Sequence, residues 1–361
     1  MIDDFHNISP YSLETDAKNR MLVKELKELL LYHVENCKKY GNILYALGFN
    51  ENRIKEIRDV KEIPYLPVRI FKEMELKSIP DEEIFKVMKS SGTTGQSQSK
   101  IYLDKKTAIV QQKVLLRLLG DFVGKKRLPM LVIDTPQVIR DRKMFTARGA
   151  TIMGLDFAAR KMVFALNDDM TLNIQIVKNF MREYGEHDFL IFGFTFMIWE
   201  SFFKELEKTG IGIDFSKGYL LTAGGWKKLQ SEAVTEEKFK EYGYRVGRIR
   251  HYMDHYSMAE QSGCIYAECE YGHMHASIYS DIITRRIEDF SPCEIGEKGI
   301  IQVLSVLPHS YPGNSLLTED EGMVLGEDDC PCGRKGKYIK IVGRIKSAEI
   351  RGCSDTYAAE R

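Results

Sequence analysis

The stretch 89–100, KSSGTTGQSQSK, decides how the rest of the chain is interpreted. Short apolar segments at 84–88 and 101–103 flank it, and both are predicted to be strands. Glycine lets a backbone approach a ligand closely, and hydroxyl and backbone N–H groups donate hydrogen bonds to anions. The pattern therefore predicts a phosphate-binding loop, although a polar surface hairpin has a similar composition. It is not a P-loop, because no Gly-Lys-Ser/Thr follows Gly92 at the required spacing.

The composition of the whole chain excludes some partners and locations. Its 361 residues suffice for two or three domains or one large α/β unit, and its 52 basic and 52 acidic residues cancel. A nucleic-acid partner is not expected, because it would require a basic bias. The longest apolar run, 189–199, is too short to span a bilayer, so no stable membrane insertion is expected. Seven cysteines and a polar N-terminus without a signal sequence indicate a reducing, cytoplasmic location.

Helical and strand-like segments alternate along the first two thirds of the chain. Helices are predicted at 19–40 (ended by Gly41), 105–119, 169–184 and 196–208, and strands at 130–133, 151–154, 161–165, 189–192 and 219–222. This alternation predicts an α/β fold with parallel or mixed sheets wrapped by helices. Ligands of such sheets bind beyond the carboxyl ends of the strands, where the polar and glycine-rich motifs of this chain fall.

The chain changes character near residue 265. Later segments are short, β-rich and separated by turns, with strands predicted at 276–279, 300–304, 322–325 and 338–342. We therefore predict a large α/β core with an N-terminal helical segment at 1–264, a smaller β-rich subdomain at 265–342, and a C-terminal hinge and tail at 343–361.

Three further motifs carry groups suited to a nucleotide. In 255–263, HYSMAEQSG, the ring of Tyr256 can stack on a purine, and Glu260 offers the carboxylate oxygen that Mg²⁺ prefers. Asp320 can accept hydrogen bonds from ribose hydroxyls and Arg344 can donate to them. Each residue alone is also consistent with an ordinary loop or surface position.

A pattern of cysteine and histidine suggests a structural metal. Cys269, His275, Cys330 and Cys332 form a C-x5-H…C-x-C pattern, and thiolate and imidazole ligands suit tetrahedral Zn²⁺. His273 competes with His275 as the fourth ligand. A cluster of buried free cysteines is the alternative.

The order of these motifs resembles that of the acyl-adenylate-forming superfamily, and most closely the LuxE-type acyl-protein synthetases, relatives of the phenylacetate-CoA ligases. The resemblance rests on FHN at 5–7, IPYLPVRIFK at 63–72, KSSGTTG at 89–95, FGFTF at 192–196, GGWKK at 224–228, YSMAEQSG at 256–263, CPCGRKG at 330–336 and GRIKSAEIRGCS at 343–354. It implies that the core at 1–264 is an adenylation domain. The superfamily's usual C-terminal lid domain, which carries a catalytic lysine, is expected to be absent.

The resemblance also implies roles for individual residues. The β- and γ-phosphates of ATP would be held by Ser91, Gly92, Thr93, Thr94, Gly95 and Lys100, and the adenine pocket would be lined by Ala223, Gly224 and Gly225 with Tyr256 stacked on the base. Glu260 would bind Mg²⁺, while Asp320 and Arg344 would hold the ribose. Some related ligases hold zinc at the position of the cysteine–histidine pattern.

A cysteine near the C-terminus receives the acyl group in LuxE-type enzymes, and Cys353 matches that position. Its neighbour Arg351 would lower the pKa of the thiol and so raise its reactivity. A free cysteine without a catalytic role is the alternative.

The expected activity is therefore that of an ATP-dependent acyl-protein synthetase. A carboxylic acid, with a fatty acid as the first expectation, would be activated as acyl-AMP with Mg²⁺ and transferred to Cys353 as a thioester. The acyl group would then pass to an acyl reductase or another acyl-transfer protein. Two alternatives stay open: an acyl- or aryl-CoA ligase, and a non-catalytic subunit that binds a nucleotide or an acyl group.

Overall fold

A computed structural model describes residues 5, 7–90, 98–140, 147–226 and 233–345. The described residues form two compact units. The first unit contains the residues up to 90, then 98–121 and 256–345, and the second contains those between 122 and 255. Within the described ranges, no helix combines the length and apolar character needed to cross a membrane.

The first unit begins with helices and a hairpin. Its elements are α1 (Thr15–Asn36), α2 (Lys38–Ala46), α3 (Glu51–Glu56), β1 (Leu66–Pro67), α4 (Ile70–Glu73), β2 (Lys86–Lys89), β3 (Lys100–Leu103) and α5 (Lys105–Val123), whose last residues extend into the second unit. Along α1, Leu22, Leu26 and Leu29 recur at helical spacing and are buried. The predicted pairing of the strands around 89–100 is confirmed, since β2 and β3 are antiparallel neighbours.

The prediction that Gly41 ends the first helix is wrong. Helix α1 ends at Asn36, because Cys37 is extended, and Gly41 lies inside α2. A Cβ atom at Gly41 would lie 2.9 Å from the carbonyl oxygen of Val34. The glycine therefore permits the close approach of α2 to the end of α1.

The second unit contains a parallel sheet covered by helices. Its elements are β4 (Leu128–Val132), α6 (Gln137–Arg140), α7 (Ala147–Leu155), β5 (Ala159–Phe164), α8 (Ile174–Tyr184), β6 (Phe189–Phe194), α9 (Thr195–Met197), a π-helical turn (Ile198–Phe203), α10 (Lys204–Thr209), β7 (Gly218–Ala223), α11 (Glu236–Gly247) and β8 (His251–Met253). The strand order is β5-β4-β6-β7-β8, and each of these strands runs parallel to its neighbours. All six residues of β6 are buried, as expected for a central parallel strand.

One strand predicted in this unit is wrong. Residues 151–154 belong to α7. The segment has only four residues, and a segment of this length carries no period that distinguishes a strand from a helix.

The C-terminal strands complete the first unit. They are β9 (His255–Tyr256), whose first residue belongs to the second unit, β10 (Tyr266–Glu268), β11 (Met274–His275), β12 (Ser280–Arg285), β13 (Lys298–Ser305), β14 (Ser315–Glu327) and β15 (Lys337–Arg344). The sheet order is β12-β13-β14-β15-β11-β10-β9, with β1 paired in parallel to β14. The strand predicted at 276–279 is wrong: this segment lies between β11 and β12, and Ile278 N donates to the carbonyl oxygen of Pro10 instead of to a sheet neighbour.

This division differs from the predicted domain boundary at residue 264. The late strands share a core with the first helices, since β1 pairs with β14 and the Lys18 ammonium of α1 lies 3.5 Å from the Asp281 carboxylate of β12. Contacts between residues so distant in sequence cannot be recognised from local composition. The change near residue 265 to short, β-rich segments therefore suggested a separate subdomain.

Candidate functional site

The ends of the predicted phosphate loop are closed by hydrogen bonds. Ser99 N donates to the Ser90 side chain at 3.0 Å, and Ser90 N donates to the Ser99 carbonyl at 3.1 Å. The strand register pairs Lys89 with Lys100. The residues predicted to contact phosphate, Ser91, Gly92, Thr93, Thr94 and Gly95, lie outside the described residues. The structure therefore describes the base of this loop and not its tip.

Lys100 is paired with a carboxylate at the base of the loop. Its Nζ lies 3.2 Å from Glu75 Oε1, to which the Tyr102 hydroxyl also donates at 2.7 Å. The hydrogen bond from Tyr102 is the main reason that the pKa of Glu75 lies below its ordinary value. About half of the Lys100 side chain is exposed, so a phosphate would have to compete with Glu75 for this ammonium.

The glycines of the predicted adenine pocket follow a strand of the second unit. Strand β7 ends at the buried Ala223, which is in register with Phe194 at the end of β6. The Thr195 hydroxyl donates to the Gly224 carbonyl at 2.7 Å, and Gly224 has φ +64, a backbone conformation that favours glycine. Gly224 and Gly225 are both exposed. Thr195 was not singled out from the sequence, although a hydroxyl directly after a buried apolar run was a usable signal.

A second residue missed from the sequence lies at the end of β8. Asp254 accepts a hydrogen bond from His255 N at 2.8 Å. Burial raises the pKa of Asp254 to about 6, although the backbone of His255 and the side chain of Thr222 favour its charged form. This carboxyl group therefore titrates close to neutral pH.

Tyr256, Asp320 and Arg344 lie together in the first unit. The Tyr256 hydroxyl donates to Asp320 Oδ2 at 2.7 Å, and Arg344 Nε lies 3.5 Å from Asp320 Oδ1. Asp320 on β14 is directly opposite Arg344 on β15. Burial, and then the charge of Asp320, raises the pKa of Tyr256 well above its ordinary value, so the phenol stays a donor. Three motifs that are separate in sequence thus form one hydrogen-bonded group.

Glu260 is a buried carboxylate in the same unit. It is 6% exposed and lies in the short helical turn Ala259–Gln261. The amide of Gln261 fixes this turn by donating to the carbonyl oxygens of Val303 at 3.2 Å and Gly313 at 2.9 Å. Within the described part of the chain, the Glu260 side chain has neither a hydrogen bond nor an ion pair. Carboxylate oxygens are the ligands that Mg²⁺ prefers, so a cation is a suitable partner for this side chain.

The four predicted zinc ligands come together in the first unit. The side-chain donor atoms of Cys269, His275, Cys330 and Cys332 all lie within 4.8 Å of one another. Cys269 Sγ is 3.9 Å from Cys330 Sγ, close to the edge of about 3.8 Å that Zn–S bonds of about 2.3 Å give in a tetrahedron. Cys332 Sγ is 3.3 Å from His275 Nε2.

The protonation states of the cysteine and histidine side chains determine whether this cluster can bind a metal. Burial raises the pKa of Cys330 to about 12 and lowers that of His275 to about 4. The imidazole is therefore neutral and able to act as a ligand, while the thiols must lose protons when a metal binds. His273 Nδ1 lies 3.2 Å from Cys330 Sγ, so this histidine adjoins the cluster. The donor set fits zinc, and its identity stays a prediction.

The fold of this chain is shared with solved ligases. Two crystal structures of 2-hydroxyisobutyryl-CoA ligase are similar to it. The postadenylation state with 2-HIB-AMP has a TM-score of 0.71 at 14% identity, covering 97% of this chain and 74% of that chain. The thioesterification state with 2-HIB-AMP and CoA has a TM-score of 0.73 at 15% identity, covering 93% and 70%. The predicted mixed α/β fold class is thereby confirmed.

Sequence comparison extends over the whole chain. The long-chain-fatty-acid–luciferin-component ligase of Vibrio harveyi is 22% identical over 366 residues, which are 96% of this chain and 89% of that protein. The family model for "Acyl-protein synthetase, LuxE" matches residues 1–360. The chain therefore belongs to the LuxE family of acyl-protein synthetases, which are ligases.

Proposed function

We propose that the protein activates a fatty acid or a similar carboxylic acid with ATP and transfers the acyl group to its own Cys353. In the first step a carboxylate oxygen attacks the α-phosphorus, the bond to the β-phosphate oxygen breaks, and pyrophosphate leaves. In the second step the Cys353 thiolate attacks the acyl carbonyl carbon, and AMP leaves with the cleaved oxygen. The thiol proton passes to solvent. Family membership supports both steps.

The group formed by Tyr256, Asp320 and Arg344 is the observation that carries the nucleotide assignment. Each carboxylate oxygen of Asp320 has further acceptor capacity after its contact with Tyr256 or Arg344, and ribose presents two hydroxyl donors. The hydrogen bond to Asp320 also anchors the hydroxyl end of Tyr256, whose ring would stack on adenine. In this assignment Ala223, Gly224 and Gly225 line the base, and the loop at 91–95 with Lys100 holds the β- and γ-phosphates.

Glu260 is assigned to Mg²⁺. Its buried carboxylate, without a partner in the described chain, supports this role. A bound Mg²⁺ supplies positive charge where negative charge develops on the leaving pyrophosphate. The contribution of the protein is to anchor the turn that carries Glu260, through the hydrogen bonds of Gln261.

Cys269, His275, Cys330 and Cys332 are assigned to a structural Zn²⁺. The mutual distances of their donor atoms support this role. Asp328, in the loop that carries Cys330 and Cys332, accepts a hydrogen bond from Thr15 N at 2.9 Å at the beginning of α1. A metal at the cluster would therefore stabilise the attachment of α1 to the sheet.

The thioester on Cys353 would be a carrier form for a partner protein. The name of the Vibrio harveyi relative, long-chain-fatty-acid–luciferin-component ligase, favours a fatty acid as the substrate. An acyl reductase is proposed as the partner. The chemistry agrees, because a thioester is activated toward reduction and would have to be protected from water until it is delivered. The seven cysteines favour a reducing, cytoplasmic location.

A soluble acyl- or aryl-CoA ligase is the second candidate. The shared fold with 2-hydroxyisobutyryl-CoA ligase favours it. In that case coenzyme A would take the place of Cys353 as the nucleophile. The two candidates differ in whether the acyl group stays on the protein.

Intact-protein mass spectrometry separates these candidates. The protein is incubated with Mg-ATP and a panel of fatty and aryl acids, with Cys353→Ser as the test variant and Cys293→Ser as the matched control. A hydroxylamine-labile gain of one acyl group, absent only in Cys353→Ser, is the expected result and identifies the acid. Pyrophosphate release that requires coenzyme A, without an adduct, supports the ligase. Neither adduct nor pyrophosphate with any acid would indicate a non-catalytic subunit.

The two tryptophans provide a separate measurement of nucleotide binding. The chain has 2 tryptophans, and the rings of Trp199 and Trp226 lie 6.0 Å apart. Trp226 follows the predicted adenine segment directly. We expect ATP to change the intrinsic fluorescence saturably. An unchanged spectrum at millimolar ATP, together with no binding by calorimetry, would contradict the nucleotide assignment.

A further inference from the structure

The first unit carries an exposed apolar knob between β12 and β13. We define the knob as the two turns at 286–291 and 294–297. Ile287, Phe290 and Ile295 are 54%, 44% and 54% exposed. Exposed acidic residues surround these side chains, namely Glu288, Asp289 and Glu294, and within the described residues none of the three has an ion pair. Large apolar side chains exposed together usually mark an interaction surface.

The knob is held in a defined conformation. Phe290 has φ +59, which is unfavourable for an aromatic residue and persists only where its surroundings enforce it. The Arg285 guanidinium donates to the Phe290 carbonyl at 2.8 Å, and Phe290 N donates to the Arg286 carbonyl at 3.1 Å. Ser291 N donates to Asp289 Oδ1 at 2.9 Å. Such preorganisation lowers the entropy cost of binding a partner.

A groove of opposite charge lies on the same unit. It is an open depression of about 400 Å³ between α1 and the residues that follow α3. Apolar residues line it, namely Val23, Leu31 and Ile57, and its charged residues are Arg20, Lys24, Lys27 and Arg58 against the single acid Glu28. The groove is therefore basic, with a floor in which Val23 and Ile57 are buried, whereas the knob is apolar and acidic.

The knob and the groove are neighbours. Arg285 donates to the Phe290 carbonyl of the knob and, through Nη2, to the Lys61 carbonyl at 2.8 Å. The next residue, Glu62, accepts a hydrogen bond from the backbone N of Arg58 at 2.8 Å, and Arg58 lines the groove. One guanidinium thus connects the base of the knob to the edge of the groove.

We propose that this combined surface forms a two-fold dimer of the chain. A two-fold axis brings the same surface of both copies together, so the knob of each copy enters the groove of the other. The contact is self-complementary in charge, with acidic residues of each knob opposite basic residues of each groove. A second copy is the partner that satisfies both surfaces at once, because it presents an acidic knob to the basic groove and a basic groove to the acidic knob.

Charge reversal tests this proposal in the full chain. The groove variant is Arg20→Glu/Lys24→Glu, and the knob variant is Glu288→Lys/Glu294→Lys. Sedimentation velocity over a range of protein concentrations measures the dimer dissociation constant. Each variant is expected to weaken the dimer on the order of 30-fold, because every reversed contact occurs twice in a two-fold interface. A mixture of the two variants is expected to form a heterodimer, since the reversed groove of one accepts the reversed knob of the other.

Matched controls distinguish this interface from a general charge effect. Lys178→Glu/Lys217→Glu makes the same charge change as the groove variant at exposed lysines of the second unit, and is expected to leave the dimer unchanged. Circular dichroism checks that each variant is folded. A wild-type chain that stays monomeric up to 100 µM overturns the proposal. So does a dimer that persists equally in both variants, or a variant mixture that does not associate.

Discussion

Substitution of Asp281 is expected to destabilise the protein strongly. Asp281 on β12 lies between two buried lysines, with Lys337 Nζ at 2.7 Å and Lys18 Nζ at 3.5 Å from its carboxylate oxygens. The three side chains are 5%, 9% and 3% exposed. Asp281→Asn preserves the shape of the side chain but leaves two buried ammonium groups without a counter-charge. Removing one partner of a buried ion pair costs about 3–5 kcal/mol of the free energy of unfolding.

The pH dependence of the variant follows from the same geometry. Burial alone would raise the pKa of Asp281, but Lys337 and Lys18 together hold it below its ordinary value. Burial lowers the pKa of Lys18, and Asp281 opposes this effect. Without Asp281 the pKa of Lys18 falls further, so the unfolded chain binds more protons than the folded chain at alkaline pH. The free energy of unfolding of Asp281→Asn should therefore rise with pH over the alkaline range below the ordinary pKa of lysine, more steeply than that of the wild type.

Urea unfolding followed by circular dichroism at several pH values measures both effects. Glu35→Gln, which neutralises an exposed acid on α1, is the matched control and should change the free energy of unfolding by less than about 0.5 kcal/mol. Asp281→Asn/Lys337→Met should recover part of the loss, because it removes one uncompensated cation. A loss below about 1 kcal/mol in Asp281→Asn, or a stability that does not rise with pH, would refute the reasoning.

Three further predictions concern the candidate sites. Tyr256→Phe keeps the ring but loses the hydrogen bond to Asp320. The KM for ATP should therefore rise up to about tenfold, with kcat nearly unchanged. An equally large fall in kcat would contradict a role in binding. Cys330→Ser should abolish zinc binding, measured by inductively coupled plasma mass spectrometry, and lower the Tm. The control Cys293→Ser should do neither. Zinc retained by Cys330→Ser would exclude the site. Asp254, with a pKa of about 6, binds its proton more tightly in the folded chain, so its contribution to stability should fall by roughly 2 kcal/mol as pH rises from about 4 to about 6. Asp254→Asn should remove that slope in urea unfolding, and an unchanged slope would contradict the assignment.

Local elements of the fold could be predicted where their residues repeat with a clear period. Helix α5 begins at Lys105 as expected, and the buried run of β6 begins at Phe189. The hairpin of β2 and β3 was also predictable, because two short apolar segments flank a glycine-rich loop. The strand predicted at 151–154 was wrong, because a segment of four residues is too short to show whether its period is that of a strand or of a helix.

The candidate sites, like the helices and strands, could be predicted only in those features that depend on residues close together along the chain. Residue type and motif order were sufficient to nominate Tyr256, Glu260, Asp320 and the cysteine–histidine pattern. The hydrogen bond from Tyr256 to Asp320, the lack of a partner for Glu260 in the described chain and the 3.9 Å separation of two thiols were not predictable from sequence. Each depends on strands that are distant along the chain and adjacent in the sheet.

The sequence by itself determined the family, the chemical character of each motif and most of the strongly periodic elements, since these depend on residues close together along the chain. Only the tertiary structure decided the division into units, the buried triad of Lys18, Asp281 and Lys337, and the proximity of knob and groove. The physical reason is that burial and ion pairing act through space, whereas periodicity and composition record only the neighbours of a residue along the chain.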